Sequence, residues 1–462
     1  MRASVADSAA ATRFTHTCNA QIGHGYVDSI RAARQPLCSG DSGGIFLSSV
    51  PDHGCRCSSC RAKLTTLERA SLRWDYPSPT PTLRATVACT RVPPRPNDWP
   101  CTGDCADGLG VLTRSDRGFG LALQASAYGN EACESRVRET TLLVVNARHE
   151  YLDNVYHSFE EVFALLETAE ALGEDLSAMR LVFANTNKRK RVSRGPLTLF
   201  QLHGGAPVGT PPAGARRQMV ELFAALLGRE SRGLAPITLD AGGAVCFDRL
   251  VLPLRACQGS VFSRTWERHD VCAAGNALAS DVARAVLGAF GEAADRRNAT
   301  RRVTIITRDD TVGPRGRGKG GGGKGGGGGK GRGRGRGRGQ KRVLEQPARL
   351  AARIALAAPG ADVRTVGFAS LSFAEQLREV RHTDVLVGSH GAGLTHALFL
   401  PPGAALVELT NNKPPVGGRS VNNIYATAAA WTSHPYKAVL GAERPDPDEV
   451  GRAVARMLSL RT

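Results

Sequence analysis

Gly388-Ser389-His390-Gly391-Ala392-Gly393 is the stretch of this chain whose residue types best suit an anion. The apolar run from Asp384 to Val387 precedes it and a helix is expected over Leu394 to Leu400, so the glycines fall where a strand turns into a helix. Glycine lets the backbone approach a ligand closely. The first amides of the helix have no intrahelical partners, and with the positive end of the helix dipole they favour a phosphate or diphosphate. Pro401-Pro402-Gly403 ends the helix. Ala404 to Leu409 then resumes as a buried strand that delivers Glu408 to the carboxyl end of a parallel sheet, the edge where open α/β sheets bind ligands. Packing glycines in strand-helix units give the same pattern, so the glycines alone do not decide for a site.

Three other groups have chemical potential. His157 and Glu161 are spaced i, i+4 and share one helix face. Asn154 stands where it can cap that helix. Arg308 ends the strand Val303-Thr-Ile-Ile-Thr307 with a cation at the same sheet edge, where its guanidinium can fork onto phosphate oxygens. Cys55-Arg-Cys57-Ser-Ser-Cys60 has the look of a metal knuckle, but no second CxxC or HxxxH lies at finger-like spacing. Disulfides are the expectation for the cysteines, with unpaired thiols as the alternative.

The run His390-Gly-Ala-Gly-Leu-Thr-His-Ala-Leu-Phe-Leu-Pro-Pro-Gly-Ala-Ala-Leu-Val-Glu-Leu409 resembles the nucleotide-sugar segment of glycosyltransferase family 61. Thr395-His396 is most similar to the EGF-domain-specific O-GlcNAc transferase branch of that family. Asn154-Val-Tyr156-His157 resembles its Asn-x-Tyr-His segment, with Glu161 where the family usually has Asp. The strand ending in Arg308 resembles one ending Ala-Arg-Ser, and Arg342-Val-Leu-Glu345 its continuation, with Glu for Asn.

This resemblance implies an inverting transferase that moves a sugar, GlcNAc from UDP-GlcNAc in the first instance, to a protein Ser or Thr hydroxyl. His390, Gly391, Ala392, Gly393, Leu394 and Thr395 would then hold the diphosphate together with Arg308, and Glu408 would accept from the ribose. His157 or Glu161 would take the proton of the acceptor hydroxyl, beside Asn154 and Tyr156 as acceptor or sugar contacts. His396 is expected to face the core, and Trp431 to Tyr436 to serve packing. No DxD motif stands in the expected place, and no bound cofactor is implied beyond the UDP-sugar donor, so metal-independent transfer is expected. Alternatives are a xylosyl- or arabinosyltransferase acting on N-glycans or wall polysaccharide, and a degenerate transferase fold acting as a Gly/Arg-rich nucleic-acid binder.

The elements that must position these residues read as α/β. Thr141 to Asn146 (strand), His157 to Leu172 (helix) and Met179 to Ala184 (strand) give a parallel pair with a crossover. A second alternation follows from Arg301, with strands at 303–307 and 361–368 and helices at 346–358, 372–381, 422–431 and 446–460. Two such lobes suggest a GT-B-like arrangement of two Rossmann-like domains with an interlobe cleft. The expected divisions are an irregular Cys-rich region at 1–135, an acceptor-side lobe at 136–295 and a nucleotide-sugar lobe at 296–462.

Composition limits the other readings. With 462 residues, 42% of them hydrophobic, the chain can build real cores. The net charge of +18 invites a nucleic-acid partner, yet eleven positive charges and no acidic residue lie between Gly313 and Arg342. Setting those eleven aside leaves +7, so the charge belongs mainly to a Gly/Arg/Lys insert over 313–340 and the Lys341-Arg342 pair that follows it. That insert has no apolar residue for a core and no aromatics on which bases could stack, which makes it a solvated loop first and a nucleic-acid or acidic-glycan contact second. Nine of the twelve cysteines precede residue 134, as in a disulfide-stapled segment, and Asn298-Ala-Thr300 is a glycosylation sequon. No signal peptide or membrane span is visible. Either the start is incomplete or the protein is soluble with reduced cysteines. The resemblance favours the first, with the endoplasmic reticulum or Golgi lumen as the expected compartment.

Overall fold

The computed structural model describes residues 18–40, 43–51, 61–75, 82–88, 120–126, 133–146, 154–185, 197–202, 217–228, 235–239, 243–254, 262, 272, 275–293, 300–308, 343–411 and 424–460. The insert at 313–340, Arg342, Asn298 and the Cys55–Cys60 cluster lie outside them. Among the described residues no helix is long and apolar enough to cross a membrane.

The region expected to be irregular is not so where it is described. It supplies helix α1 (His24–Ala32) and strands β1 (Arg34–Gly40), β2 (Gly43–Pro51), β3 (Arg61–Asp75), β4 (Thr82–Ala88) and β5 (Gly120–Ser126). The reason is visible in β3. Flanked by β2 and β11 (Ala244–Leu252), it buries Thr65, Thr66 and Ser71 as well as Leu64, Leu67 and Leu72. A strand buried on both faces loses the apolar/polar alternation that marks a half-exposed one. Within it Arg69 has a left-handed φ of 53°.

Those strands join β6 (Ser135–Val137), β7 (Thr141–Asn146), β8 (Arg180–Asn185), β9 (Leu197–Leu202) and β10 (Ala235–Leu239) in one sheet. Its centre, β11-β7-β8, is parallel, and α2 (Val155–Leu172) makes the expected crossover from β7 to β8. Most pairings on its flanks are antiparallel, with β4-β5 and β6-β11 parallel, so this sheet is mixed and departs from a purely parallel Rossmann pattern. Helices α3 (Arg217–Leu226) and α4 (Ala277–Ala289) complete this half.

The second sheet is parallel throughout: β12 (Arg302–Thr307), β13 (Asp362–Gly367), β14 (Val385–Ser389), β15 (Ala405–Thr410) and β16 (Tyr436–Leu440), in the order β13-β12-β14-β15-β16. Alternate residues sort its two faces. Val303, Ile305, Val385, Val387 and Val407 pack on one side with Leu350 and Ile354 of α5 (Pro347–Ala357) and Val450 and Val454 of α8 (Pro447–Ser459). Leu386 and Leu406 face the other way, toward α6 (Phe373–Arg381) and α7 (Ile424–Trp431), into a core shared with the first half. Phe159 of α2 sits there against Phe399 and Phe373, with ring centroids 5.3 and 6.1 Å away. Polar contacts cross the same boundary: Gln218 donates to Ala369 O and Leu371 O, and Arg378 Nε to the buried Glu292 at 3.2 Å.

Among the described residues two disulfides reinforce the assembly. Cys18 bonds Cys272 and Cys133 bonds Cys246, so each ties an early cysteine to a distant later one. Cys55, Cys57, Cys60, Cys89, Cys101 and Cys105, expected in staples within the early segment, lie outside the described residues.

Candidate active site

The glycine segment sits on the face of the parallel sheet that looks toward α2. Gly388 is in register with Ile306 on β12 and with Glu408 on β15. Two residues past these strand positions, Arg308 and His390 stand at the same level, just beyond the carboxyl ends. Arg308 is exposed and His390 is buried.

The expected α-helix over 394–400 is instead a 3-10 helix, Ala392–Phe399. Its first bond runs from Leu394 N–H to Gly391 O at 2.9 Å. That removes Leu394 from the free amides and leaves Ala392 and Gly393 as the donors without intrahelical partners. Gly391, Ala392 and Gly393 are partly accessible, whereas Leu394 and Thr395 are buried. The Thr395 hydroxyl has no hydrogen-bond partner. Gly391 itself is extended, with φ 170°, so its backbone does not require glycine. Crowding does constrain Gly388, where a Cβ would lie 2.9 Å from Leu394 Cδ2.

Glu408 is buried and engaged on both oxygens. Oε1 pairs with His390 Nδ1, and Oε2 accepts the Tyr436 hydroxyl at 2.6 Å. Burial, then the Glu408 charge and hydrogen bond, push the Tyr436 phenol far above its ordinary range, so the hydroxyl stays a donor. The expected ribose contact of Glu408 thus meets a carboxylate already occupied in holding His390. Tyr436, expected to pack, is the residue that the sequence left out of the site. Its signal was its position at the start of β16, the strand pairing with β15, which only the register reveals.

Across the core boundary, Asn154 caps α2 by accepting from Tyr156 N–H at 3.0 Å. His157 pairs with Glu160, not with Glu161: its Nδ1 lies 2.7 Å from Glu160 Oε2. Glu161 is buried, and its carboxyl is pushed up to about 8 by burial and by the neighbouring Glu160 charge. A carboxyl that keeps its proton at neutral pH donates, so His157 is the better proton acceptor of the two. His396 faces the core as expected, its ring 4.9 Å from Phe368 and its pKa lowered to about 4 by burial.

The two groups of residues meet through Tyr425 of α7. The His390 ring is 5.2 Å from the Tyr425 ring, and Tyr425 is 6.5 Å from Tyr156, both edge-on. The start of α2, with Asn154, Tyr156 and His157, therefore adjoins the glycine segment and its histidine. This arrangement can offer amides and a histidine to an anion on one side and a proton acceptor on the other.

Comparison with known proteins agrees with the segment. Residues 332–407 match the model of glycosyltransferase 61. EGF domain-specific O-linked N-acetylglucosamine transferases are similar over short stretches. The Drosophila melanogaster protein is 52% identical over 54 residues, covering 12% of this chain and 10% of the relative. The Rattus norvegicus protein is 52% identical over 52 residues, covering 11% and 10%, and the Bos taurus protein 54% over 44 residues, covering 10% and 8%. The similarity thus spans about a tenth of these relatives' length. Over residues 332–407, where the parallel sheet meets the His390 segment, the chain carries the glycosyltransferase 61 pattern that its sequence resembles.

Proposed function

We propose that the protein is an inverting glycosyltransferase that moves a sugar, GlcNAc from UDP-GlcNAc, to a protein Ser or Thr hydroxyl. The single observation that carries this reading is the meeting of the α2 start and the glycine segment through Tyr156, Tyr425 and His390. On this reading the parallel half binds the nucleotide sugar and the mixed half the acceptor, in a GT-B-like cleft, with the halves dividing near residue 296 and residues 1–135 built onto the first.

The amides of Ala392 and Gly393, the His390 ring and Arg308 hold the diphosphate. Glu408 and Tyr436 fix the His390 ring through Nδ1. Asn154 and Tyr156 shape the acceptor side. The acceptor oxygen bonds to the anomeric carbon as its proton passes to His157. The bond from that carbon to the phosphate oxygen breaks, and UDP leaves with the electron pair. Arg308 and the helix opening offset that charge, so the transfer proposed needs no metal. The Cys18–Cys272 and Cys133–Cys246 bonds favour an oxidising compartment, the endoplasmic reticulum or Golgi lumen.

The test is a panel of UDP, UDP-GlcNAc, UDP-xylose and UDP-arabinose, scored by thermal stabilisation and by donor hydrolysis with and without chelator. UDP-GlcNAc at about a hundred times its Kd should stabilise by about 2.7 kcal/mol. No stabilisation by any member would defeat the reading. A preference for UDP-xylose or UDP-arabinose would redirect it to a pentosyl donor, and loss of turnover with chelator would defeat the metal-free step.

A further inference from the structure

Between His157 and Glu161 stands a third titratable side chain, Glu160, for which the transfer step above has no part. Its Oε2 lies 2.7 Å from His157 Nδ1, and the two side chains differ in exposure: 7% for Glu160 and 25% for His157. An exposed ion pair at this helical spacing would be worth little. Here the carboxylate is buried, and a buried carboxylate is costly unless a donor or cation meets it, so the contact selects the state of the imidazole.

That state follows from donor and acceptor chemistry. An ionised carboxylate only accepts, so Nδ1 must carry the proton that lies between them. In a neutral ring this fixes the tautomer with Nδ1–H and makes Nε2 the acceptor. The adjacent Glu161 sharpens the division, because burial and the Glu160 charge keep it protonated at neutral pH. One carboxylate is thereby ionised and engaged with the imidazole while its neighbour stays neutral, a separation of environments by which acid and base roles are assigned in other enzymes.

We propose that Glu160 is a positioning residue, which holds His157 as the Nδ1–H tautomer and presents Nε2 as the atom that takes the acceptor hydroxyl's proton. The proposal rests on the reading of His157 as the base of a sugar transfer. In the step, the proton moves from the hydroxyl to Nε2, and the positive charge created on the ring is balanced by Glu160. A carboxylate so placed acts through the histidine and does not touch substrate.

The experiment is nitrogen NMR of the full-length protein with labelled histidine, the His157 signals identified by their loss in His157→Ala. The wild type should show a protonated Nδ1 and an unprotonated Nε2 at high pH. Glu160→Gln removes the charge but keeps the shape, and should lower the midpoint of the His157 titration by about one pH unit or more. Glu160→Asp should recover part of that shift. The acid limb of the donor-turnover pH profile should move in the same direction as the NMR midpoint. A midpoint unmoved in Glu160→Gln would overturn the proposal. If that variant does not fold, the wild-type spectrum decides alone: an unprotonated Nδ1 overturns it. Full turnover by His157→Ala would instead remove the base assignment, and the NMR midpoints would still decide whether Glu160 sets the tautomer.

Discussion

Tyr436 donates its hydroxyl to the buried Glu408 carboxylate at 2.6 Å, and through that carboxylate it helps to set the ring of His390. The residues come from neighbouring parallel strands, with Tyr436 in register with Leu406, two positions before Glu408. A buried carboxylate with both oxygens engaged is a poor ligand for a sugar hydroxyl and a good anchor for an imidazole. On the proposed reading the histidine is the side chain that meets the anion, and the buried carboxylate works from behind it.

Replacing Tyr436 by Phe leaves Glu408 Oε2 without its donor while keeping the ring in the core. A buried acceptor deprived of its partner costs about 1–3 kcal/mol. Equilibrium unfolding in urea should show a loss of that size, and the stabilisation by UDP should weaken because His390 is less firmly held. A variant as stable as the parent would mean that the Tyr436–Glu408 bond contributes nothing to the fold.

The two glycines at the strand end should respond in opposite ways. Gly388→Val puts carbon where Leu394 Cδ2 lies 2.9 Å from the first added atom, so the buried Leu394 side chain must move and stability should fall by about 1–3 kcal/mol. At Gly391 an added Cβ meets only Ser389 O at 3.6 Å, in an extended backbone, so Gly391→Ala should melt with the parent. The expected loss in Gly391→Ala is confined to UDP-induced stabilisation, because the methyl would occupy space needed by a ligand. Undiminished stabilisation by UDP would show that no ligand approaches the backbone there.

How much of this was legible in the sequence depends on range. Leu142 to Val145 and Val385 to Val387 are unbroken apolar runs, and such runs declare buried strands without help from partners. The Ser372 capping box announces α6, which begins at the next residue. The two-sided burial of Thr65, Thr66 and Ser71 in β3 cannot be read locally, because it depends on strands far along the chain. Pairings across distance were equally hidden: Cys18 with Cys272, separated by 254 positions, and Tyr436 with Glu408. At the site itself, His157 and Glu161 were visible as a helical pair. His157 pairs with Glu160 and not with Glu161, a choice of partner that helical spacing does not encode.

Glu161 should impose a pH dependence on stability. Its carboxyl has an ordinary value near 4.5 in the unfolded chain and is raised to about 8 in the fold by burial and by Glu160. A raised pKa means that the folded state prefers the proton, so its contribution is fully present below about 4.5 and is lost as pH rises toward about 8. Glu161→Gln, which cannot ionise, should show a flatter fall in stability between these limits. Denaturant midpoints at pH 5 and pH 8 would check it, and parallel losses in parent and variant would count against a buried protonated carboxyl.

His24 should give a second, separable dependence. Its Nδ1 lies 2.7 Å from Glu170 of α2 and its Nε2 2.9 Å from Asp281 of α4, so it joins α1 to both helices. Two carboxylates accept at both ring nitrogens, and only the protonated ring donates at both. Burial works against that proton, but the hydrogen bonds and charges of Glu170 and Asp281 outweigh it and raise the pKa above the ordinary 6.5. Around the clamp, Arg284 pairs with Asp281, while Arg31 pairs with Asp28 and donates to Glu170 O. These neighbours and the one-third exposure of the ring weaken the effect. With a raised pKa the stabilisation is fully present below 6.5 and is lost as pH rises through the folded value. His24→Ala should accordingly cost on the order of 1 kcal/mol at pH 6 and less at pH 9. Urea unfolding of parent and variant at the two pH values measures the difference. A loss independent of pH would assign His24 to packing alone, and a larger loss at pH 9 would contradict the clamp.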